Sequence, residues 1–279
     1  MIQLSSASEL DAFRKEPSGS LGFVPTMGAL HEGHHSLINA AISQCDAVLV
    51  SIFVNPTQFS PTEDFNDYPR NVASDLKLCE SWGVTAVFCP TEDDIYPNNN
   101  KAARYVPSRE IAEVMCGKTR PHFFYGVTNV VERLFGLVRP SHAFFGDKDL
   151  QQRVIIEQMV SELNLPIEII GCPIIRDDNG LARSSRNAYL DDEGYQKALN
   201  ISRALHDVKV HVKNDKWSSH RVRQFLAAEL EGRGLKGDYV EVFRPATGEV
   251  VVGKINDGDH CCVAVVCDSV RLIDNICLS

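Results

Sequence analysis

The segment Gly22-Phe23-Val24-Pro25-Thr26-Met27-Gly28-Ala29-Leu30-His31-Glu32-Gly33-His34 holds the residues of this chain best suited to bind a phosphate. An apolar run at 21–24 reads as a strand and ends in a proline–glycine turn. Two histidines three residues apart follow, and beyond them Leu37, Ile38, Ala41 and Cys45 recur on one helical face. Strand, glycine turn and helix start together make an anion site, because unpaired backbone N–H groups and the helix dipole both favour phosphate. Two imidazoles at that place donate to phosphate oxygens without the permanent charge that would retain product. Two other readings stand beside this one. The histidines are ordinary polar loop residues, or His31-Glu32-Gly33-His34-His35 is the H-E-x-x-H helix of a zinc hydrolase. Zinc requires His31 and His35 one turn apart on an established helix, Glu32 as base and a third ligand downstream. Pro25, Gly28 and Gly33 break up the region and predict that His31 precedes the helix, which disfavours zinc.

Three further clusters carry candidate groups. Val50-Ser51-Ile52-Phe53-Val54-Asn55-Pro56-Thr57-Gln58-Phe59 is a buried-looking strand ending in an amide-bearing loop, with plain turn chemistry as the simpler account of Asn55-Pro56. Phe145-Gly146-Asp147-Lys148-Asp149-Leu150-Gln151-Gln152 is again a strand end, a glycine, a lysine and a helix start, so Lys148 can reach phosphates; a surface Lys–Asp pair is the alternative. Leu181-Ala182-Arg183-Ser184-Ser185-Arg186-Asn187 places two hydroxyls between arginines after a glycine turn. Such a loop closes over a triphosphate and supplies charge where it develops, or it is simply solvated.

The elements that must position these groups alternate. Strands are expected at 21–24, 47–54, 84–89, 142–145 and 167–172, and helices at 34–44, 71–82, 108–116, 127–138 and 149–163. That order predicts βαβ units, a parallel sheet and a crevice at the carboxyl ends of its strands. After Arg176-Asp177-Asp178-Asn179-Gly180 the pattern changes to helices at 196–213 and 218–231, then strands at 239–243, 249–252, 260–267 and 270–273. The reading is an α/β fold, a Rossmann-like domain over 1–176 followed by a smaller α+β domain over 177–279.

Composition narrows the class. The 279 residues and 44% hydrophobic content suffice for a sizeable core. No apolar stretch reaches membrane-spanning length, and the first residues lack a basic region followed by an apolar one. The nine cysteines form no C-x-x-C pair and sit mostly in apolar runs such as 261–267, so they read as small buried hydrophobes in a reducing cytoplasm. A formal charge of −9 argues against a nucleic-acid surface.

The pattern H-x-G-H after a strand marks enzymes that transfer an adenylyl group from ATP. With the other clusters, the chain resembles the pantothenate synthetases (pantoate–β-alanine ligases) from residue 22 to the C-terminal strands. The resemblance rests on P-T-M-G-A-L-H-E-G-H, V-N-P-T-Q-F, E-D-F-N-D-Y-P-R at 63–70, G-D-K-D-L-Q-Q and S-S-R-N, all in family order. It implies a Rossmann-like domain of the HIGH nucleotidyltransferase superfamily, a C-terminal lid and a cytoplasmic homodimer. The implied ligase reaction joins pantoate to β-alanine through an acyl adenylate, releasing AMP and pyrophosphate, with Mg2+ on the phosphates. By resemblance His34 is the proton donor, and His31, Lys148, Ser184, Ser185 and Arg186 hold phosphates. Met27, Gly28, Ala29, Leu30, Glu32, Gly33, Gly146, Asp147, Asp149, Ile175 and Arg183 complete the ATP site. Gln58 and Gln152 match the pantoate-binding glutamines, and Gln58 also borders β-alanine. The chain departs from the family at Arg120-Pro121-His122-Phe123-Phe124-Tyr125-Gly126-Val127, where R-P-G-H-F-R-G-V is usual, and at Arg183, where Met or Leu is usual. Another adenylyl-transferring enzyme, such as a class I aminoacyl-tRNA synthetase fragment, shares H-x-G-H, but the acidic charge and lack of a basic appended domain count against it.

Overall fold

The computed structural model describes residues 1–15, 19–60 and 65–279; Glu63 and Asp64 of the 63–70 motif therefore lie outside the described residues. Two compact units divide the chain. The first gathers Met1–Pro107, His122–Asp147 and Ile155–Pro173, and the second Ser108–Pro121, Lys148–Val154 and Ile174–Ser279. Where the sequence suggests a single cut at 176/177, each unit is assembled from three stretches.

In the first unit the strands are β1 (Ile2–Leu4), β2 (Leu21–Thr26), β3 (Ala47–Ile52), β4 (Ala86–Phe88), β5 (His142–Gly146) and β6 (Glu168–Cys172). They form one parallel sheet in the order β1-β4-β3-β2-β5-β6. The helices between them are α1 (Ala7–Lys15), α2 (Glu32–Gln44), α3 (Val72–Ser81) and α4 (Glu92–Ile95). After α5 (Arg109–Ala112) and α6 (Cys116–Thr119), which lie in the second unit, come α7 (Phe123–Val138) and α8 (Leu150–Glu162), whose residues 150–154 belong to the second unit. Successive residues of each central strand face opposite cores. Phe23, Leu49, Phe88 and Phe145 are buried in one cluster, and Val24, Val50, Val87 and Phe144 in another. That is why these strands read as continuous apolar runs: helices cover both faces of a parallel sheet.

Strand order turns at β2 and β5, and this switch point is where an open α/β sheet leaves a crevice beyond its carboxyl ends. The β2–β5 pairing runs only through Gly22 and Phe23. Pro25, which has no N–H to offer a ladder, lies past it. The loop from Met27 to His31 follows β2, and Asp147 follows β5 directly.

In the second unit, α9 (Asp192–Asp215) and α10 (Ser219–Gly232) bury Leu199, Leu205 and Leu226 against Val263 and Val265. The sheet runs β10 (Val270–Cys277), β9 (His260–Cys267), β7 (Lys236–Arg244) and β8 (Glu249–Val250), all antiparallel. One expected helix is absent in that form: 108–116 is broken at Met115, whose φ of 48° and ψ of −116° no helix accommodates. Gln151 bridges the break, donating to the Ile111 and Val114 carbonyls and accepting from the Cys116 N–H. β1 and α1 escape the sequence reading because a three-residue strand is too short for a period-2 signal.

Candidate active site

Each unit carries its own cluster of candidate residues. In the first, the turn after β2 is left-handed at two successive positions, Gly28 (φ 80°) and Ala29 (φ 52°). Thr26 anchors it, donating to the Ser51 carbonyl at 2.8 Å and accepting from the Gly28 N–H at 3.1 Å. The Ala29 and Leu30 N–H groups both donate to the carboxylate of Asp75 on α3, at 3.0 and 2.9 Å. His31 then caps α2 from an extended conformation, as its expected place before the helix requires.

The two histidines cap the helix reciprocally. His31 Nδ1 accepts from the N–H groups of Gly33 and His34, and His34 Nδ1 accepts from the His31 N–H at 3.2 Å. Their ring centroids lie 4.2 Å apart. A backbone N–H can only donate, so both Nδ1 atoms are unprotonated and each neutral ring carries its proton on Nε2. His35 belongs elsewhere: it stacks on Trp82 with centroids 4.6 Å apart and approaches Glu32 at 3.4 Å. The zinc arrangement of His31 with His35 and Glu32 as base is thus replaced by a His31–His34 pair.

The expectation of unpaired loop amides is corrected by the same geometry. The N–H groups of Gly28, Ala29, Leu30, His31, Gly33 and His34 are all taken by the protein's own side chains.

Asn55, 1% exposed, organises the amide turn after β3. Its carbonyl accepts from Thr57 and, at 2.8 Å, from the Tyr96 hydroxyl; its amide donates to the Gly126 carbonyl and to Gln58 Oε1, both at 3.2 Å. Burial pushes the Tyr96 phenol up, which keeps it a donor. With Oε1 held by Asn55, Gln58 turns its NH2 group to the Met27 sulfur at 3.0 Å. Gly126 on α7 has no side chain because a Cβ there would collide with the Thr57 carbonyl and the Gln58 backbone.

In the second unit, Lys148 lines a shallow depression with Ala182, Ser184, Asn187, Asp274 and apolar neighbours. Its Nζ stands 4.0 Å from the exposed carboxylate of Asp149, and its carbonyl accepts from Asn275. The loop carrying Arg183 to Arg186 is held at its base. The Arg183 N–H donates to the Ile175 carbonyl, and Arg176 bridges Ala182 in antiparallel fashion. The Arg176 guanidinium grips the buried Asp274 carboxylate with two bonds, at 2.6 and 2.8 Å. Ser184 caps the turn at 185–189 by accepting from the Arg186 N–H, while the Asn187 amide donates to the Ala182 carbonyl. Asn187 Oδ1 is buried without a partner among the described residues, an acceptor that a bound donor would satisfy. Gln152 stands half-buried in the first turn of α8 beside the structural Gln151.

A protein-family model described as pantoate–β-alanine ligase matches residues 3–277. The chain belongs to this family. Pantothenate synthetase from Acetivibrio thermocellus is 44% identical over 280 residues, covering 99% of each chain. The enzyme from Campylobacter fetus is 43% identical over 98% of each. Among solved structures, pantothenate synthetase from Thermus thermophilus superposes with a TM-score of 0.93 at 36% identity, over 100% of this chain and 99% of that one. Pantoate–β-alanine ligase from Francisella tularensis, solved with a β,γ-ATP species and β-alanine, gives 0.83 at 34%, over 100% and 98%. The present ligase therefore has the parallel-sheet and small antiparallel-sheet architecture of pantothenate synthetases, and it forms an amide bond between pantoate and β-alanine.

The structure also brings in ligase residues that the sequence does not flag. Asp75, Tyr96 and Gly126 touch the candidate loops from other elements, whereas Asn55 lies in the amide turn that the sequence singles out.

Proposed function

We propose that this ligase works in two half-reactions on the residues named above. A carboxylate and an amine do not condense readily in water, so the pantoate carboxylate first attacks the α-phosphorus of ATP, forming pantoyl adenylate and releasing pyrophosphate. The β-alanine amine then attacks the acyl carbon and AMP leaves, giving pantothenate. The Francisella ligase solved with both ligand types supports ATP and β-alanine as substrates.

Charge builds on the α-phosphate and the departing pyrophosphate, so catalysis is mostly positioning and electrostatics. The carrying observation is the reciprocal histidine cap. It orients two Nε2–H donors while using no ionised group, and this suits a transition state whose products must leave. In this reading His34 donates to the phosphate under attack, and His31, Lys148, Ser184, Ser185 and Arg186 hold phosphate oxygens. Met27, Gly28, Ala29, Leu30, Glu32, Gly33, Gly146, Asp147, Asp149, Ile175 and Arg183 complete the nucleotide site. Gln58 and Gln152 take pantoate, and Gln58 borders β-alanine. The NH2 group of Gln58, fixed by Asn55, is the donor that a pantoate carboxylate or hydroxyl requires.

Magnesium is part of the proposal. When bound with ATP it would be held through carboxylates such as Asp147 or Asp149 and would supply positive charge to the phosphates. Among the described residues no three His, Cys, Asp or Glu side chains gather as a metal cage, while Asp147 and Asp149 flank Lys148, a donor set suited to a metal that arrives on ATP. A lid role for 177–279, a homodimer and a cytoplasmic location belong to the same proposal. Among the described residues no helix is long and apolar enough to cross a membrane.

AMP formation with ATP, pantoate and β-alanine, each omitted in turn, tests the reading. Pantoate alone should support exchange of labelled pyrophosphate into ATP, and β-alanine alone should not. Exchange independent of pantoate would refute the adenylate.

A further inference from the structure

Asp75 is 3% exposed, and among the described residues no Lys, Arg or His forms an ion pair with it. A buried carboxylate without a cation depends on hydrogen bonds. Here it receives two, from consecutive N–H groups of the loop that ends in His31. Those consecutive N–H groups belong to a turn with left-handed residues at Gly28 and Ala29, and they converge on one carboxylate as the amides of an anion-binding turn do. Ala29 is the point of weakness, since a side-chain-bearing residue disfavours φ of 52° and holds it only where its surroundings insist. Gly28 confirms how closely the carboxylate fits: a Cβ there would lie 2.8 Å from Asp75 Oδ2.

We propose that Asp75 is a positioning residue for adenylyl transfer, an internal anion that fills the loop's amide concavity and thereby fixes His31 and His34 relative to the substrate. Asp75 touches neither substrate nor reacting atoms in this scheme. It holds the turn, the turn holds the His31 N–H, and that N–H fixes the His34 ring through Nδ1. Charge-assisted bonds suit the task because they are shorter and stronger than neutral ones. The proposal rests on the reading that the histidine pair serves the adenylation step.

Asp75→Asn is the discriminating variant, because it keeps shape but turns an NH2 toward one of the two loop donors. We expect amide hydrogen exchange at Ala29, Leu30 and His31 to accelerate at least tenfold. The kcat of pantoate-dependent pyrophosphate exchange should fall by about ten- to a hundredfold while the pantoate KM stays within twofold. Adding Ala29→Gly relieves the left-handed position and should recover several-fold of that kcat, a rescue that a mere packing role would not give; this double variant also serves if the single one fails to fold. Unchanged loop exchange, or faster exchange with wild-type kcat, in folded Asp75→Asn overturns the proposal. His34→Ala measured alongside separates the two layers. If it loses activity while Asp75→Asn does not, the positioning role alone fails; if neither loses activity, the histidine reading fails first and the positioning role with it.

Discussion

His34 uses one ring nitrogen for the fold and offers the other to chemistry, and substitutions can separate the two uses. Asn places an amide near Nδ1 and can keep the cap, whereas Gln reaches toward Nε2 and can keep a donor. If Nε2–H is the working atom, His34→Gln should retain more kcat than His34→Asn. His34→Ala should lose about a hundred- to a thousandfold, the usual effect of removing one transition-state donor. Equal activity in the Gln and Asn variants would contradict the assignment. Gln58 makes the corresponding test for the acid substrate. Gln58→Leu leaves polar groups of pantoate unpaired, at about 1–3 kcal/mol, so the pantoate KM should rise by about one to two decades with little change in that for ATP. A rise confined to ATP would assign Gln58 to the wrong substrate.

Helices and turns transmit these placements. α7 approaches the 56–58 turn so closely at Gly126 that a methyl group has no room. Gly126→Ala should therefore destabilise by about 1–3 kcal/mol and raise the pantoate KM through Gln58, which thermal melts and initial rates will show. The base of the Arg183–Arg186 loop depends on Asp177, whose carboxylate accepts from the Asn179 and Leu181 N–H groups and from the Tyr195 hydroxyl. Partial burial works against its charge, but those hydrogen bonds and Arg183 outweigh it and hold the carboxyl below its ordinary 3.8. A lowered folded value means that the stabilisation is present above 3.8 and disappears as pH falls through the folded value. Asp177→Asn should melt several degrees below the parent at pH 6 and converge with it below pH 3.8; a gap that widens in acid would refute the assignment. The strand–turn–helix logic of the site was legible because glycine, proline and apolar periodicity are local signals. Asp75 and Gly126 were not, since they act on the site from 46 and 71 residues away. The break at Met115 was illegible too, because neither glycine nor proline marks it and Gln151, which bridges it, arrives from another helix.

Across the whole molecule six of the nine cysteines are buried, as their apolar settings suggest. Burial pushes the Cys79 and Cys261 thiols up to about 12, so almost no thiolate forms at neutral pH. Iodoacetamide at pH 8 should label the partly exposed Cys277 well before Cys79 or Cys261, which should react only after denaturation; equal native rates, read by peptide mass, would contradict the packing. The division into two units has a different consequence, which concerns synthesis. The chain passes from one unit to the other five times, after Pro107, Pro121, Asp147, Val154 and Pro173. As the polypeptide leaves the ribosome, 108–121 and 148–154 therefore emerge well ahead of 174–279, the residues that complete their unit. Two stretches from the middle of the ligase, already joined to each other through Gln151, therefore wait for the last strands before their unit is complete.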